Sequence, residues 1–324
     1  MTTHADRDRR SLHRRSENLG LPVVPLRRHG WVRPSDRALV TSEPQAVGVG
    51  PGGTALAVWT HRRTPRRKQV TVHDGGELAG AIDVETDLAV SFVQPLPGER
   101  VLLAAARARP GETNAEVWTD GGVLERRGSL GDAIEELLTT PSGRIWVGYF
   151  DEAMGGSGPE GHGLARFTAD LAADWLFPLD TGLPAIADCY ALNVDGDTAH
   201  VCPYTDFHLL SASAGGVTDR GPSPYRSARN LLVRGDDWVL VGGWGPDYDL
   251  VTPLHAGPDG VRRAGDQRRI VLPDGLEAHS LRYTCRGADL HALTRTGAWY
   301  RTGLDALTAV ADPHRMNGEG PDRD

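Results

Sequence analysis

Residues 134–150 read IEELLTTPSGRIWVGYF, and this stretch places a Pro-Ser-Gly turn between two apolar runs. The runs at 134–140 and 144–150 are short and rich in β-branched and aromatic residues, as strands are. Further along, GLARFT at 163–168 and WLFPL at 175–179 have the same character. The segment therefore predicts four antiparallel strands that follow one another along the chain.

A glycine-centred turn followed by an apolar run occurs six times in the chain. The steps between successive copies are 45, 45, 53, 39 and 52 residues. A period in the forties made of strands and turns is typical of β-propeller blades, WD40-like repeats among them. The copies are GGTALAVW from Gly52, GERVLLAA from Gly98, GRIWVGYF from Gly143, GDTAHVC from Gly196, GDDWVLVGG from Gly235 and GADLHALT from Gly287. The steps are counted from Gly53 in the first copy and from the first glycine in each of the others.

A second periodic signature accompanies the first. Asp-Gly-Gly or a related turn supplies the positive φ that a tight hairpin between the third and fourth strands requires. Two independent signals therefore predict the same repeat. The hairpin copies are VTVHDGGELAG from Val70, EVWTDGGVLERRG from Glu116, LARFTADLAADW from Leu164, LLSASAGGVTDRG from Leu209 and PLHAGPDGVRRAG from Pro253, with WYRTGLDALTAV from Trp299 as a weaker sixth copy.

These signals predict an all-β fold, a six-bladed β-propeller with four-stranded antiparallel blades, with a seven-bladed ring as the alternative. An N-terminal strand, from residues 37–42 or 21–26, is expected to close the ring, because an incomplete blade exposes an unpaired strand edge. Residues 19–311 are predicted to form this single domain. The basic tail at 1–18 and the tail at 312–324 are expected to be disordered.

The third repeat resembles known propeller families. TTPSGRIWVGYFDE followed by GLARF is similar to the repeat of bacterial two-component-regulator sensors and to the blades of virginiamycin B lyase and gluconolactonase-like propellers. Residues 134–210, which include DCYALNV and PYTDF, resemble a group of soluble actinobacterial propeller proteins. Gluconolactonase-like propellers use Glu, Asn and Asp around a central calcium, and virginiamycin B lyase uses His and Glu with a metal. Matching motif positions for either set are not found in this chain.

The composition excludes several classes of protein. The 324 residues carry a net charge of −8, which argues against nucleic acid as a partner, because counterion release needs clustered cations. There is no run of about 18 apolar residues, and the N-terminal residues contain no apolar signal core. Cys189, Cys202 and Cys285 are too widely spaced for a disulfide framework or a zinc knuckle. We expect a cytoplasmic monomer that binds no membrane.

The loops at one face of a propeller surround its central channel. Loops on a rigid scaffold commonly carry function, so their polar and aromatic residues are candidates for binding a ligand. Alternatively, the aspartates hydrogen-bond within their own loops, as Asp does in turns. The candidates are Asp151, Glu152, His162, Asp188, Tyr190, Tyr204, Asp206, Arg226, Trp244, Asp247, Tyr248 and His279.

These residues favour a propeller that binds a small molecule, a peptide or a protein at its channel face. The alternative is a metal-assisted hydrolase or lyase acting on a lactone or ester at the channel mouth. Asp151, Asp206 and Asp247 are then the candidate ligands of calcium or magnesium, since hard cations prefer oxygen ligands. The sequence identifies no catalytic residue and does not decide whether the protein is an enzyme.

A basic loop is the remaining feature. HRRTPRRK at 61–68 carries five cationic side chains. It predicts either a docking site for an acidic partner or a solvated loop.

Overall fold

The computed structural model describes residues 4–179 and 181–309 of the chain. This part is nearly all-β. It begins with helix α1 (His4–Leu19) and the short strands β1 (Val23–Pro25) and β2 (Arg27–Trp31). Within it, no helix is both long enough and apolar enough to cross a membrane.

Most strands belong to four-stranded antiparallel units, in which each strand pairs with the next one along the chain. Short turns are sufficient for this order. The first three units are β3 (Ala46–Val49), β4 (Ala55–Thr60), β5 (Arg67–Asp74) and β6 (Glu77–Glu85); β7 (Phe92–Leu96), β8 (Arg100–Ala104), β9 (Ala115–Trp118) and β10 (Leu124–Gly128); and β11 (Ile134–Thr139), β12 (Ile145–Tyr149), β13 (Leu164–Phe167) and β14 (Ala173–Leu176).

The later units follow the same order with additions at their edges. In the fifth unit β23 pairs with β21, and in the last unit β2 pairs with β26. The bounds are β15 (Leu192–Asp195), β16 (Thr198–Val201), β17 (His208–Ser213) and β18 (Gly216–Pro222); β19 (Asn230–Arg234), β20 (Asp237–Val241), β21 (Leu250–Gly257), β22 (Gly260–Arg263) and β23 (Arg268–Val271); and β24 (Arg282–Arg286), β25 (Asp289–Leu293), β26 (Ala298–Gly303) and the helix α2 (Leu304–Thr308).

The turn between the first two strands of each unit contains the glycine that the repeat identified. All six glycines have a positive φ, between 52° and 85°. At Gly143 φ is +85°, a conformation that side chains disfavour, and an added Cβ would also lie 3.0 Å from the Cδ of Pro97. The repeat is visible in the sequence because every one of these turns needs the same backbone conformation.

The predicted strands of the third unit are confirmed to within one residue for β11, β12 and β13. The fourth was expected at 175–179 and lies slightly earlier, as β14. The weak sixth hairpin copy is wrong, because the chain continues from β26 into α2 instead of a returning strand. Leu304 and Leu307 explain the difference: both are buried, and α2 packs against β19, β20 and β21.

The units are arranged in a ring. The first strands β3, β7, β11, β15, β19 and β24 contact one another in this order, and β24 also contacts β3. This arrangement of antiparallel units around a centre is the β-propeller architecture.

An N-terminal strand completes the last unit, as expected, but the predicted segments are wrong. The strand is β2, which pairs with β26. Within 37–42, Val40 makes only an isolated bridge to His61, and β1 within 21–26 pairs in parallel with β23. The sequence of β2 is RRHGW, and its backbone pairing requires no apolar pattern.

The expectation of disorder at residues 1–18 is wrong for residues 4–18, which form most of α1. The helix is held by polar contacts to the fifth unit, among them Arg14 to Asp247 and Arg15 to Asp249. Composition suggested disorder because the helix has almost no apolar residues to bury. The expected tail at 312–324 lies outside the described residues.

The core lies between neighbouring units. Trp59, Trp146, Trp238 and Trp299, which stand at strand positions of the repeats, are fully buried, while Trp118 is nearly so. Large aromatic side chains contribute much of the apolar area in such cores. The tryptophans therefore hold the ring together.

The centre of the ring is closed at the end where the first strands finish. Arg286 is buried there, and burial lowers the pKa of its guanidinium to about 9. It donates to the carbonyl oxygens of Val49 and Thr139, each at 2.7 Å, and to Oε1 of Gln94. One side chain of the last unit therefore bonds to the first three units and fills the centre of the ring at this end.

Candidate functional site

A cavity of about 410 Å³ lies between the starts of β3, β7, β11 and β24. Its wall includes Gln94, which bonds Arg286, so the cavity extends from the channel mouth toward the closed end. We call it the channel cavity. Its polar lining residues are Gln45, Ser91, Gln94, Glu135, Glu136, Arg282, Tyr283 and Thr284.

A larger cavity, of about 640 Å³, lies between the first and second units at the opposite end of the strands. Glycine, proline and aliphatic residues form most of its wall, and its charged lining residues are Glu99, Arg100 and Asp120. The channel cavity is the better candidate, because Glu136, whose pKa is displaced, and the unpartnered hydroxyl of Tyr283 both lie in its wall.

Two adjacent glutamates mark the start of β11. Glu135 accepts a hydrogen bond from Nη2 of Arg229 and forms an ion pair with it. Glu136 lines the cavity, and burial, followed by the charge of Glu135, raises its pKa to about 8. Glu136 therefore retains its proton at neutral pH and is able to donate a hydrogen bond.

Asp188 shares this electrostatic environment. Burial, followed by the charges of Glu135 and Asp151, raises the pKa of its carboxyl group to about 6. Its Oδ1 is buried and finds no hydrogen-bond partner among the described residues, and the same holds for the hydroxyl of Tyr283 in the cavity wall. A buried polar atom without a partner costs about 1–3 kcal/mol, so both atoms favour a ligand that supplies one.

Three aromatic rings stand beside the carboxyl groups. Tyr190 stacks on Tyr204 with ring centroids 5.5 Å apart, and it meets Trp244 at 6.1 Å. The guanidinium carbon of Arg229 lies 4.4 Å from the centroid of the Trp244 ring. Tyr204 and Trp244 remain 43% and 55% exposed. We call these three rings the aromatic shelf, and such rings beside a polar pocket are typical of ligand sites.

Short backbone contacts position these groups. Asp188 and Tyr204 form an isolated antiparallel bridge, in which the Tyr204 N–H donates to the Asp188 carbonyl oxygen at 2.9 Å. Trp244 comes from another loop and directly precedes a 3₁₀ turn at Gly245–Asp247. Three loops, one entering the fourth unit, one within it and one within the fifth, thereby form one surface.

Four predicted site residues are brought together: Asp188, Tyr190, Tyr204 and Trp244. Asp151 acts on them through its charge, since it helps to raise the pKa of Asp188. The list of candidates lacked the residues from inside strands or strand starts, Glu135, Glu136, Arg229 and Tyr283. A signal for the glutamates was present, because two adjacent carboxyl groups are unusual at the start of an otherwise apolar inner strand.

Three predicted site residues belong to the docking surface of α1 instead. Asp247 accepts hydrogen bonds from Arg14 and Asn18, at 3.0 and 2.7 Å. The hydroxyl of Tyr248 lies 2.8 Å from Nε2 of His279, and their rings stack with centroids 4.2 Å apart. The prediction that these residues face the channel did not anticipate an N-terminal helix.

The remaining predicted residues lie apart from the aromatic shelf or have other partners. Glu152 pairs with Arg107 on the surface. His162 donates from Nδ1 to the Phe177 carbonyl oxygen at 2.8 Å. The remaining two candidates are Asp206, which is exposed in a turn, and Arg226, whose guanidinium lies 5.8 Å from the Phe207 ring.

The expected cation ligands are not assembled. Within residues 4–179 and 181–309, no group of three or more His, Cys, Asp or Glu side chains is arranged to hold a metal ion. Asp247 is already bonded to α1, and Asp151 and Asp206 come from different units. The three candidate ligands of calcium or magnesium are therefore not brought together as one set in the described residues.

The basic loop is largely satisfied within the molecule. Arg66 pairs with Asp87 at 2.8 Å, and Arg67 pairs with Asp83. Arg62 donates to the carbonyl oxygen of Val40, and Lys68 is buried. Two of the loop's five cationic side chains are therefore paired with carboxylates of the same molecule.

The fold and this site define a class: a β-propeller with an acidic, aromatic-lined cavity at one end of its channel. No protein-family model matches the chain, and no curated protein is similar to it in sequence.

Solved structures resemble it in architecture. A calcium-binding protein, regucalcin, from Agrobacterium tumefaciens has 14% identity and a TM-score of 0.46, covering 87% of this chain and 95% of that one. The gluconolactonase XC5397 from Xanthomonas campestris has 12% identity and a TM-score of 0.46, over 86% and 97% of the two chains. A PQQ-bound aldose sugar dehydrogenase from Streptomyces coelicolor has 13% identity and a TM-score of 0.46, over 86% and 96%. The likeness is distant at these values.

Proposed function

We propose that the protein is a six-bladed propeller that binds a small molecule at the mouth of its channel. One observation carries the proposal: Arg229 joins the channel cavity to the aromatic shelf, because it pairs with Glu135 in the cavity wall and lies over the Trp244 ring. Tyr204 of the shelf also forms a backbone bridge with Asp188, whose Oδ1 is buried and unpartnered. A volume of about 410 Å³ suits a compact ligand better than a folded peptide.

The chemistry of the walls describes what the ligand must provide. The shelf offers ring faces to an apolar or cyclic surface. Oδ1 of Asp188 accepts a hydrogen bond, and protonated Glu136 donates one. Arg229 holds Glu135 on one side and covers Trp244 on the other, which orders the wall between shelf and cavity. A cyclic compound with several hydroxyl or carbonyl groups satisfies these demands.

Acid–base hydrolysis of a lactone or ester is the second candidate function. The observation that favours it is the pair of raised pKa values, about 6 for Asp188 and about 8 for Glu136. Ionised Asp188 would take a proton from a water molecule that attacks the carbonyl carbon. As the ring C–O bond breaks, Glu136 would give its proton to the departing alkoxide. No three-ligand metal set supports the metal-assisted form in the described part of the chain.

The binding proposal is tested by isothermal titration of glucono-δ-lactone and myo-inositol into the wild type, Tyr204→Ala and Trp244→Ala. We expect one of these probes to bind, and both variants to weaken it at least tenfold. Leu276→Ala, which removes an exposed side chain outside the shelf, is the matched control and retains wild-type affinity. Binding of no probe, or binding that ignores both variants, contradicts the proposal.

The hydrolysis candidate has its own test. We expect the wild type to open glucono-δ-lactone faster than the spontaneous reaction in a pH-stat, and Asp188→Asn to lose that excess while still binding the probe. Binding without turnover leaves the first function and removes the second.

A further inference from the structure

The N-terminal helix docks without an apolar face. The one leucine in the middle of α1, Leu12, is 72% exposed. Arg14, Arg15 and Asn18, which lie within little more than one turn of the helix, instead contact the loop that follows Trp244. The helix is therefore attached through polar contacts. These contacts identify the residues of the fifth unit that it recognises.

Arg15 occupies a pocket that matches its guanidinium group. Its Nη1 and Nη2 donate to the two carboxylate oxygens of Asp249 at 2.7 and 3.0 Å, which is a bidentate contact. Nη2 also donates to the hydroxyl of Tyr248 at 2.6 Å and pairs with Glu277 at 2.9 Å. The guanidinium carbon lies 4.4 Å from the centroid of the Tyr248 ring. Asp249 is fully buried and also pairs with Arg269.

A second set of contacts holds the turn next to the aromatic shelf. Asn18 donates from Nδ2 to Oδ1 of Asp247 at 2.7 Å and to the Pro246 carbonyl oxygen at 3.0 Å. Arg14 adds a bond to the same carboxylate, and Tyr225 reaches its other oxygen at 3.2 Å. Pro246 and Asp247 belong to the 3₁₀ turn that begins one residue after Trp244.

We propose that α1 is a separable ionic clasp: Arg15 and Asn18 are positioning residues that hold Trp244 at the channel mouth by fixing the turn behind it. An effect of the clasp on ligand binding rests on the proposed function, whereas its effect on the position of Trp244 does not. The surface that recognises an arginine on a helix is then formed by four residues: Asp247, Tyr248, Asp249 and Glu277.

Separability follows from the helix itself. A helix of 16 residues with no apolar face is marginal in isolation, so α1 gains its order from docking. The contacts are side chain to side chain or to loop carbonyl oxygens, with no strand pairing in common. The same segment supplied as a peptide is therefore expected to occupy the surface.

Tryptophan fluorescence without any ligand tests the positioning. The contribution of Trp244 is obtained by subtracting the emission spectrum of Trp244→Phe from that of the protein with Trp244. This Trp244 component is determined once in the wild-type background and once in the Arg15→Ala background. We expect Arg15→Ala to shift this component to the red and to increase its quenching by acrylamide. Arg9→Ala, on an exposed position of the same helix, leaves it unchanged.

The result that overturns the proposal is equally specific. If Arg15→Ala lowers the melting temperature but the Trp244 component does not move, the helix is only a structural support. If Arg15→Ala fails to fold, Arg15→Lys, which keeps the charge and loses the bidentate fork, must give an intermediate shift.

Complementation in trans tests separability in the full-length protein. The variant Arg14→Ala/Arg15→Ala/Asn18→Ala is titrated with a synthetic peptide of residues 1–20. We expect the wild-type peptide to restore the Trp244 signal, and the same peptide carrying Arg15→Ala to fail. Restoration by both peptides, or by neither, contradicts the proposal. Because no channel ligand is used, failure here is distinguishable from failure of the proposed function, in which the probes do not bind.

Discussion

Gly30 and Gly76 approach so closely that a Cβ atom built on Gly30 would lie 2.3 Å from the Cα of Gly76. Gly30 lies in β2, the strand that completes the last unit, and Gly76 lies in the hairpin turn between β5 and β6 of the first unit. The backbone of the N-terminal strand therefore packs directly on the neighbouring unit. Ring closure depends on this contact as well as on strand pairing.

We expect Gly30→Ala to lower the free energy of unfolding by about 2 kcal/mol, because the two backbones must separate to admit the methyl group. Urea denaturation measures the change. Gly80→Ala in β6 is the matched control, since an added Cβ there meets nothing within 4 Å. Equal losses in the two variants would show that the contact does not matter.

Two of the repeat glycines distinguish the two ways in which an added side chain lowers stability, namely backbone strain and crowding. Gly196 has a φ of +56° and open space around an added Cβ, whereas Gly143 has a φ of +85° and would meet Pro97. We expect Gly196→Ala to cost about 1 kcal/mol from backbone strain alone, and Gly143→Ala about 3 kcal/mol with the added crowding. Chemical denaturation of both variants checks the order, and the reverse order would refute it.

Glu136 predicts a pH dependence of stability. Its pKa is about 8 in the folded protein against 4.5 as the ordinary value. Between these values the folded protein holds a proton that the unfolded chain has released, so stability falls as the pH rises through this window. We expect Glu136→Gln to melt near the wild-type temperature at pH 4.5 and above it at pH 8.5.

Melting curves between pH 4.5 and 8.5 measure the difference. Glu85→Gln, at an exposed position at the end of β6, serves as the control and should follow the wild-type profile. A constant gap between wild type and Glu136→Gln across the series would be inconsistent with a titrating Glu136.

Arg286 predicts a large loss of stability on substitution. Arg286→Met leaves the buried carbonyl oxygens of Val49 and Thr139 without their donor, and each such atom costs about 1–3 kcal/mol. We expect a total loss of about 3 kcal/mol in urea denaturation. Arg282→Met, at the exposed start of the same strand, should cost under about 0.5 kcal/mol. If Arg286→Met left the stability unchanged, an apolar side chain would be sufficient to fill this end of the ring.

Metal removal gives a further prediction. Since no set of three metal-ligating side chains is assembled within residues 4–179 and 181–309, we expect EDTA to leave the melting temperature unchanged to within about 1 °C, as no cation would be bound to the folded state. A drop of several degrees that calcium reverses would reveal a cation held by fewer side chains.

Much of the fold could be predicted because its signals are local. The positive φ at each repeat glycine and the alternation of strand and turn are set by neighbours in sequence, so β11, β12 and β13 were placed to within one residue. The ring-closing strand was misplaced because β2 depends on backbone bonds to β26, some 270 residues away, and not on its own composition. The helix α1 was missed for the same reason, since Asp247 and Asp249 lie 233 and 234 residues from their partners Arg14 and Arg15.

The residues of the site also differ in whether local sequence signals could predict them. Asp188, Tyr190, Tyr204 and Trp244 could be predicted because loop positions follow from the repeat. Asp247 and Tyr248 occupy similar positions, but they bond to α1, and His279 stacks on Tyr248. No local pattern predicts these contacts. Glu136 went unnoticed because a strand residue becomes a site residue only when the first strands of several units surround one cavity.

The turns, the strands and the order of the antiparallel units follow from the amino-acid sequence alone, because these are properties of short segments. The end of the ring that Arg286 fills, the strand that completes the ring and the side chains that lie near Asp188 are established only in the folded molecule. Those relationships join residues far apart in the chain, and they are set by burial, charge and hydrogen bonding after the units have come together.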